Sequence, residues 1–173
     1  MSRDASDMMS PDHTFVMKAA QGGMAEVKLG QLAKQNGGSD SVKQFGTRMV
    51  TDHSQANDEL RQLAKQKQIT LPRDVSSKDK RMTKMLGSKQ GADFDKAYIH
   101  DMVKDHEKDV AEFRNEAENG KDPDIKAGAQ KTRPTMEHPL AEGKEVAGRG
   151  GVDDEKGEGG RSRKRGAKQR TQD

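Results

Sequence analysis

Apolar residues recur at intervals of three and four along the first part of the chain, which is the spacing of an amphipathic helix. Ser10-Pro11 supplies an N-cap followed by proline at the first helical position, where the missing N–H costs no hydrogen bond. The pattern predicts a helix over residues 11–36, ended by Gly37-Gly38. Its inward stripe consists of Phe15, Ala19, Gly22 or Gly23, Glu26, Leu29 or Gly30, and Ala33.

Gly22 and Gly23 lie inside this first helix, where each glycine costs roughly 1 kcal/mol relative to alanine. Two interpretations fit the pair. The glycines either allow a neighbouring helix to approach closely or form a local weak point.

The next two long helices contain the same five-residue motif, once each. Met49-Val50-Thr51-Asp52-His53 returns as Met102-Val103-Lys104-Asp105-His106. The first copy lies in a helix predicted from a cap at Ser39 or Ser41 to about Gln68, and the second lies in a helix predicted over 93–119. The repeat indicates pseudo-symmetry between two helices. The two stripes are Val42, Phe45, Met49, His53, Ala56, Leu60 and Leu63, then Ile99, Met102 or Val103, His106, Val110, Phe113 and Ala117.

The segment between the two copies predicts a crossover with a short helix of its own. Ile69–Pro72 is extended, because the residue before proline avoids helical geometry. Ser76 with Asp79 resembles a capping box and opens a short helix over 77–87.

The last predicted helix covers 123–147, with Pro134 and Pro139 expected to kink or split it. Its stripe is Ile125, Ala129, Thr132, Met136 and Leu140. The fold class predicted from these elements is all-α: a ferritin-like four-helix bundle with a short extra helix in the crossover.

Composition changes this picture in two ways. Charged residues make up 35% of the chain, and large aliphatic residues are scarce, so composition alone would indicate disorder. Ala and Met nevertheless join the few large apolar residues at helical spacing. With ten Met, no Trp and one Tyr in the chain, the sequence predicts a soft and modestly stable bundle. The chain has no cysteine, which excludes disulfides, Fe–S clusters and thiol catalysis.

Both ends of the chain are predicted to be disordered. Residues 1–10 are polar, with no signal-peptide or transmembrane segment, so the chain as written is expected in the cytoplasm; a start further upstream would allow a periplasmic location. Residues 148–173 are rich in glycine and charge, and they carry the net charge of +3. Within them lies a purely basic run: Arg161, Arg163, Lys164, Arg165, Lys168 and Arg170.

Three ionisable residues lie on the inward faces of three different helices. Glu26, His53 and His106 are each near mid-helix, so they are expected to meet at one level of the bundle. One interpretation is a single Zn²⁺ or Cu²⁺ held by these side chains. The other is a buried polar cluster in which the three groups satisfy one another and fix helix register. The sequence alone favours the second interpretation over the first.

A di-iron centre is not expected, because the usual Glu-x-x-His pairs are missing and valine lies three residues before each histidine. Asp52 and Asp105 are adjacent to the histidines in sequence and therefore point about 100° away from them. They are predicted at the edge of the interface, supporting the ligands from outside. His138 is the weakest candidate, because Pro139 occupies the inward position.

Several runs in this chain resemble one bacterial family, the domain of unknown function 4142 family. They are residues 15–33, 42–53, 94–99 and 102–107, and the likeness covers about 13–147. The resemblance implies a ferritin-like helical bundle and does not supply a function, although a metal role is suspected in the family. Family members are often labelled as exported or outer-membrane proteins.

The chain departs from this family in two places. Members commonly begin with an export signal, which this chain lacks as written. Their last helix usually places a histidine on its inward face, where this chain has Pro139. A fourth ligand from His138 therefore requires a kink at Pro139 that rotates it inward.

Three functional hypotheses result from the sequence. The first is a non-enzymatic, stress-associated bundle protein that binds a divalent metal through Glu26, His53 and His106. The second is a protein that binds nucleic acid without sequence preference through its basic tail. The third is a bundle whose polar core is purely structural and whose role is an interaction.

Overall fold

A computed structural model describes residues 10–157 of the chain, with side chains described through Arg149. This part folds into five α-helices: α1 (Pro11–Asn36), α2 (Asp40–Gln66), α3 (Ser77–Gly87), α4 (Gly91–Asn119) and α5 (Pro123–Gly157). The all-α prediction is confirmed, and α1 and α3 have the predicted bounds. α4 begins two residues earlier than predicted, at Gly91, whose φ of 62° is accessible to glycine.

The last helix is longer than predicted, and of the two effects expected from its prolines the split does not occur. α5 is not split at Pro134 or Pro139, and it continues to Gly157, beyond the predicted end at Ala147. A proline removes one backbone hydrogen bond, and the helix persists here because α5 packs along α4. The buried positions of Pro139 and Gly143 show that this packing extends past both prolines.

Side chains cap the helices largely where the sequence predicts. The hydroxyls of Ser10, Ser39 and Ser76 accept hydrogen bonds from the backbone N–H groups three residues ahead, at 3.2, 3.2 and 3.1 Å. The carboxylate of Asp122 accepts from the backbone N–H groups of Asp124 and Ile125 at the start of α5. These caps satisfy N–H groups that the first helical turn leaves free.

The four long helices form two antiparallel hairpins that pack together. α1 packs along α2 and α4 along α5, while α2 also contacts α5 and α1 contacts α4. The α1–α2 turn lies beside the start of α4, where Asp95 accepts hydrogen bonds from the backbone N–H groups of Gly38 and Ser39. α2 and α4 therefore start at the same end of the bundle and run parallel, and the crossover with α3 returns the chain to that end.

The opposite end of the bundle is tied by Asp12 in the first turn of α1. Its carboxylate accepts hydrogen bonds from the backbone N–H groups of Lys121 and Asp122 in the α4–α5 turn, at 2.6–3.2 Å. Lys67, just after α2, pairs with Asp122 and Asp124 at the same end. The start of α1, the end of α2 and the α4–α5 turn thus share one end.

The core has two parts on either side of the middle of the bundle. The closed half lies towards the α1–α2 turn, and its buried cluster is Leu29, Ala33, Val42, Phe45, Met49, Leu86, Phe94, Tyr98, Ile99 and Met102. The open half lies towards the α4–α5 turn, and its buried cluster has four members, Val16, Ala64, Ile69 and Ile125. Half-buried apolar residues pack around these four: Phe15, Met17, Leu60, Leu63 and Leu71.

The predicted stripe of α1 is one position out of register in the open half. Val16 and Ala20 are buried, whereas Phe15 and Ala19 are half-buried. The reason is that the helices separate here, so Phe15 and Ala19 face a cavity instead of packed side chains.

The structure separates the two interpretations of Gly22-Gly23. A Cβ on Gly23 would lie 1.9 Å from Oδ1 of Asn57, so Gly23 allows α2 to approach. A Cβ on Gly22 would have nothing within 4 Å. Within the described residues, no helix combines the length and apolar character needed to cross a membrane.

Candidate metal centre

His53 and His106 face each other across the centre of the bundle, from the parallel helices α2 and α4. Their Nε2 atoms are 3.3 Å apart, and the ring planes meet at 78°. Both rings are buried, with 2% and 0% of their surface exposed. The repeated motif explains why the two histidines are in contact, because each histidine continues the apolar stripe of its helix, after Met49 in α2 and after Met102 in α4.

Hydrogen bonding fixes the tautomer of one ring. Nδ1 of His106 lies 2.9 Å from the carbonyl oxygen of Met102, and a carbonyl can only accept. Nδ1 of His106 therefore carries the proton, and its Nε2 presents a lone pair towards His53. In the metal-free pair, the proton shared between the rings must come from Nε2 of His53.

Glu26 of α1 is the third member of the cluster. Its carboxyl is 4% exposed, and Oε1 lies 3.9 Å from Nδ1 of His106. Oε2 is buried and has no hydrogen-bond partner among the described residues, and the same holds for the buried hydroxyl of Tyr98. One potential ligand atom from each of Glu26, His53 and His106 lies within 4.8 Å of the other two.

Burial controls the protonation of all three groups. It lowers the pKa of His53 to about 3, with a smaller contribution from His106, and it lowers the pKa of His106. It also raises the pKa of Glu26 well above its ordinary value, and Asp109, Asp105 and Asp79 add to the rise. At neutral pH both rings are therefore neutral, and each keeps a nitrogen lone pair.

The surroundings of the cluster are acidic. Asp109, one turn after His106, has a pKa raised to about 7 by burial and by Asp105 and Glu112. The buried charged side chains of the described chain include no lysine or arginine. The cluster is therefore bordered by acidic side chains and, among the described residues, has no buried lysine or arginine beside it.

Sequence reasoning missed Asp109 and Asn57 as neighbours of the cluster. Helical spacing could have identified both, since Asp109 follows His106 by three residues and Asn57 follows His53 by four. The predicted stripes assigned the inward positions to the apolar residues Ala56 and Val110, so the polar residues beside them were not predicted to face the cluster.

The remaining predicted site residues are placed elsewhere. Asp52 and Asp105 are half-buried beside the cluster, and burial raises the pKa of Asp105. His138 is not in the cluster: its side chain is 62% exposed and lies 3.9 Å from Glu142, because the uninterrupted α5 turns Pro139 inward. The basic residues Arg161–Arg170 are outside the described part of the chain, and their role stays a prediction.

Comparison with known protein families gives a match that covers most of the chain. The family described as Domain of unknown function (DUF4142) matches residues 1–146. Comparisons with curated proteins and with solved structures give no match. The description of this family names no function. The chain belongs to the Domain of unknown function (DUF4142) family.

Proposed function

We propose that the protein binds one divalent transition-metal ion, Zn²⁺ or Cu²⁺, through His53, His106 and Glu26. The observation that carries the proposal is the 3.3 Å separation of the two Nε2 atoms. Two nitrogen ligands 2.0–2.1 Å from one tetrahedral ion are about 3.3–3.4 Å apart. The two rings thus already have the spacing of a ligand pair.

The hydrogen bond from Nδ1 of His106 to the Met102 carbonyl supports the same proposal. A ligating histidine commonly donates its other ring N–H to a carbonyl or carboxylate, which fixes the ring and directs the lone pair at the ion. His53 needs one change to become a ligand. Its proton must move from Nε2 to Nδ1, or be released to solvent and replaced there.

Glu26 supplies the negative charge that such a site needs. One of its carboxylate oxygens lies within 4.8 Å of a ring nitrogen of each histidine, so the three side chains are close enough to converge on one ion. The unpartnered Oε2 and the three acidic neighbours favour a cation. An ion would offset the cost of burying Glu26 in its charged form.

The proposed role is metal binding without catalysis. The sequence contains no nucleophile paired with a base and no Glu-x-x-His pair for a di-iron centre. Imidazole with a carboxylate suits both Zn²⁺ and Cu²⁺, so the donor set leaves the choice between them to measurement.

The test is metal analysis of untagged protein, stripped with a chelator and then titrated with Zn²⁺ or Cu²⁺. We expect about one ion per chain for the native sequence, and affinity reduced at least tenfold or so in His53→Ala, His106→Ala and Glu26→Gln. His138→Ala is the matched control and should bind normally, because that histidine is exposed. Glu26→Gln keeps the side-chain shape, and circular dichroism verifies that each variant is folded.

The competing explanation is a polar core without a metal. It predicts substoichiometric metal in the native protein and the same amount in all four variants. That result would overturn the proposal.

A further inference from the structure

A cavity of about 270 Å³ lies in the open half of the bundle, between α1, α2, α4 and α5. Its walls are mainly apolar and include Phe15, Leu60, Leu63, Phe113, Ile125 and Met136. Phe15 and Phe113 meet edge to face with ring centroids 4.9 Å apart. Most of these side chains are only half-buried, so the bundle leaves apolar surface uncovered inside itself.

The inner end of the cavity is polar. His53 and Asn57 of α2 and Asp109 of α4 all line it. Nε2 of His53 is engaged with His106, which leaves Nδ1 as the unpaired polar atom of that ring. The side-chain amide of Asn57 and the carboxyl of Asp109 likewise have no hydrogen bond to another described residue. Three polar groups without partners at the end of an apolar cavity are the features of a small-molecule site.

The charge at this end favours a positive ligand. Asp109 and Glu112 both line the cavity; Glu112 lies 3.9 Å from Lys108, whereas Asp109 has no ion pair with another described residue, and Asp105 is a further acidic neighbour of Asp109. The two lysines that line the cavity do not neutralise the negative charge at its inner end. Lys131 is exposed and pairs with Glu59, and Lys18 is exposed on α1. A carboxylate ligand would meet repulsion at Asp109, whereas an ammonium would pair with it.

The size of the cavity limits the ligand. A cavity of 150 Å³ accommodates benzene, so 270 Å³ corresponds to about eleven non-hydrogen atoms. Gly22 contributes to this space, since a Cβ there would have nothing within 4 Å.

We propose that the cavity binds a small amphipathic amine, with its ammonium at Asp109 and Asn57 and its apolar body between Phe15, Leu60 and Phe113. This site goes beyond the proposed metal function and does not depend on it, because the ion would use Nε2 of His53, on the side of the ring facing His106.

The test uses three probes of nearly equal size on the full-length, metal-free protein at about pH 8. They are 4-phenylbutylamine, 4-phenylbutanol and 4-phenylbutyrate. Binding is measured by calorimetry and by chemical-shift changes of the Ala19, Ala56 and Ala129 methyl groups, which line the cavity. We expect saturable binding of the amine, binding of the alcohol about tenfold weaker, and no binding of the carboxylate.

Two variants locate the site. Asp109→Asn should reduce amine affinity to that of the alcohol, while Asp101→Asn, on the same helix and away from the cavity, should bind like the native protein. Ala56→Phe fills the cavity and should abolish binding of both the amine and the alcohol. Ala56→Phe should still bind metal, so failure of this inference is distinguishable from failure of the metal proposal.

Absence of binding by all three probes would overturn the inference. Equal binding of amine and carboxylate would also overturn it, because the cavity would then select for apolar bulk alone. Unchanged amine affinity in Asp109→Asn would show that the ammonium is not at Asp109 and would overturn it as well.

Discussion

The two halves of this bundle differ in how completely their apolar side chains are buried. In the closed half, Gly30 and Gly46 let α1 and α2 meet: a Cβ on Gly30 would lie 2.8 Å from the Gly46 carbonyl oxygen. Tyr98 stacks on Phe94 and meets Phe45 edge to face in the space that remains. In the open half, Gly22 has no neighbour, and the apolar side chains surround a cavity.

Gly23, which lines the cavity, also lies close to Asn57 of α2, so the halves differ mainly in whether apolar side chains fill the space between the helices. The polar cluster lies between the two halves. His106 is fully buried beneath the closed half, whereas His53 also lines the cavity. Under the proposed metal function, the closed half would hold the two histidines in place and the open half would give access to them, and the predictions below test this division.

Aromatic truncation should show the largest contrast in stability. Phe94 is 0% exposed, so Phe94→Ala is expected to cost about 3–5 kcal/mol of unfolding free energy. Phe113 is half-buried beside the cavity, and Phe113→Ala should cost less than about half as much, because fewer contacts are lost. Urea denaturation of both variants measures the difference. Equal losses would contradict the distinction between the halves.

Glycine substitution should give effects of opposite sign. In Gly46→Ala the new Cβ would lie 2.7 Å from Cβ of Ala33 and 2.8 Å from the Gly30 carbonyl oxygen, so a loss of about 1–3 kcal/mol is expected. Gly22→Ala meets open space and should gain up to about 1 kcal/mol from helix propensity. Thermal melts of the two single variants provide the comparison. Destabilisation by Gly22→Ala would show that this space is smaller than it appears.

The open half should also show a pH dependence that comes from Asp109. Its pKa is about 7 in the folded protein and near 3.8 when unfolded, so between these values the folded state holds a proton that the unfolded state has lost. Stability from this residue therefore falls as pH rises from about 4 to 7. Asp109→Asn should be more stable than the native protein above pH 7 or so, and this advantage should disappear near about pH 4. A difference between the two proteins that does not vary with pH would contradict the assignment.

The basic tail should act independently of both halves and give the smallest effect on stability. Removing residues 158–173 takes away Arg161, Arg163, Lys164, Arg165, Lys168 and Arg170 and leaves α5 intact. Melting temperature should be unchanged, while weak, salt-sensitive DNA binding should be lost. Fluorescence anisotropy with labelled DNA at two salt concentrations checks this. If the truncated chain binds DNA as tightly as the full chain, the tail is not the DNA-binding segment.

The helices could be predicted because their signals are local. Serine N-caps, glycines at the C-terminal ends and apolar residues three or four positions apart predicted the bounds of α1 and α3. The repeated motif identified α2 and α4 as equivalent helices. The sequence did not exclude a split of α5 at Pro134 or Pro139. The packing on α4 that carries the helix past both prolines is not visible in the sequence.

The candidate site was predictable in its centre but not at its edges. Glu26, His53 and His106 came from stripe positions, which depend on helix geometry alone. The sequence already placed Pro139 rather than His138 on the inward face, and the exposed side chain of His138 agrees with this, whereas Asp109 and Asn57 became evident only with the cavity. The cavity itself depends on how far four helices separate, which is a tertiary property that one helix's periodicity does not contain.

The most direct test of the proposed metal centre is the protonation state of the two imidazole rings, observed by long-range ¹H–¹⁵N NMR during Zn²⁺ titration. Without metal, we expect His106 to be protonated at Nδ1 and His53 at Nε2, as the 2.9 and 3.3 Å contacts require. With one equivalent of Zn²⁺, both rings should be protonated at Nδ1, and both Nε2 signals should shift. Unchanged signals from both rings, with the proton still on Nε2 of His53, would contradict a metal centre at this cluster.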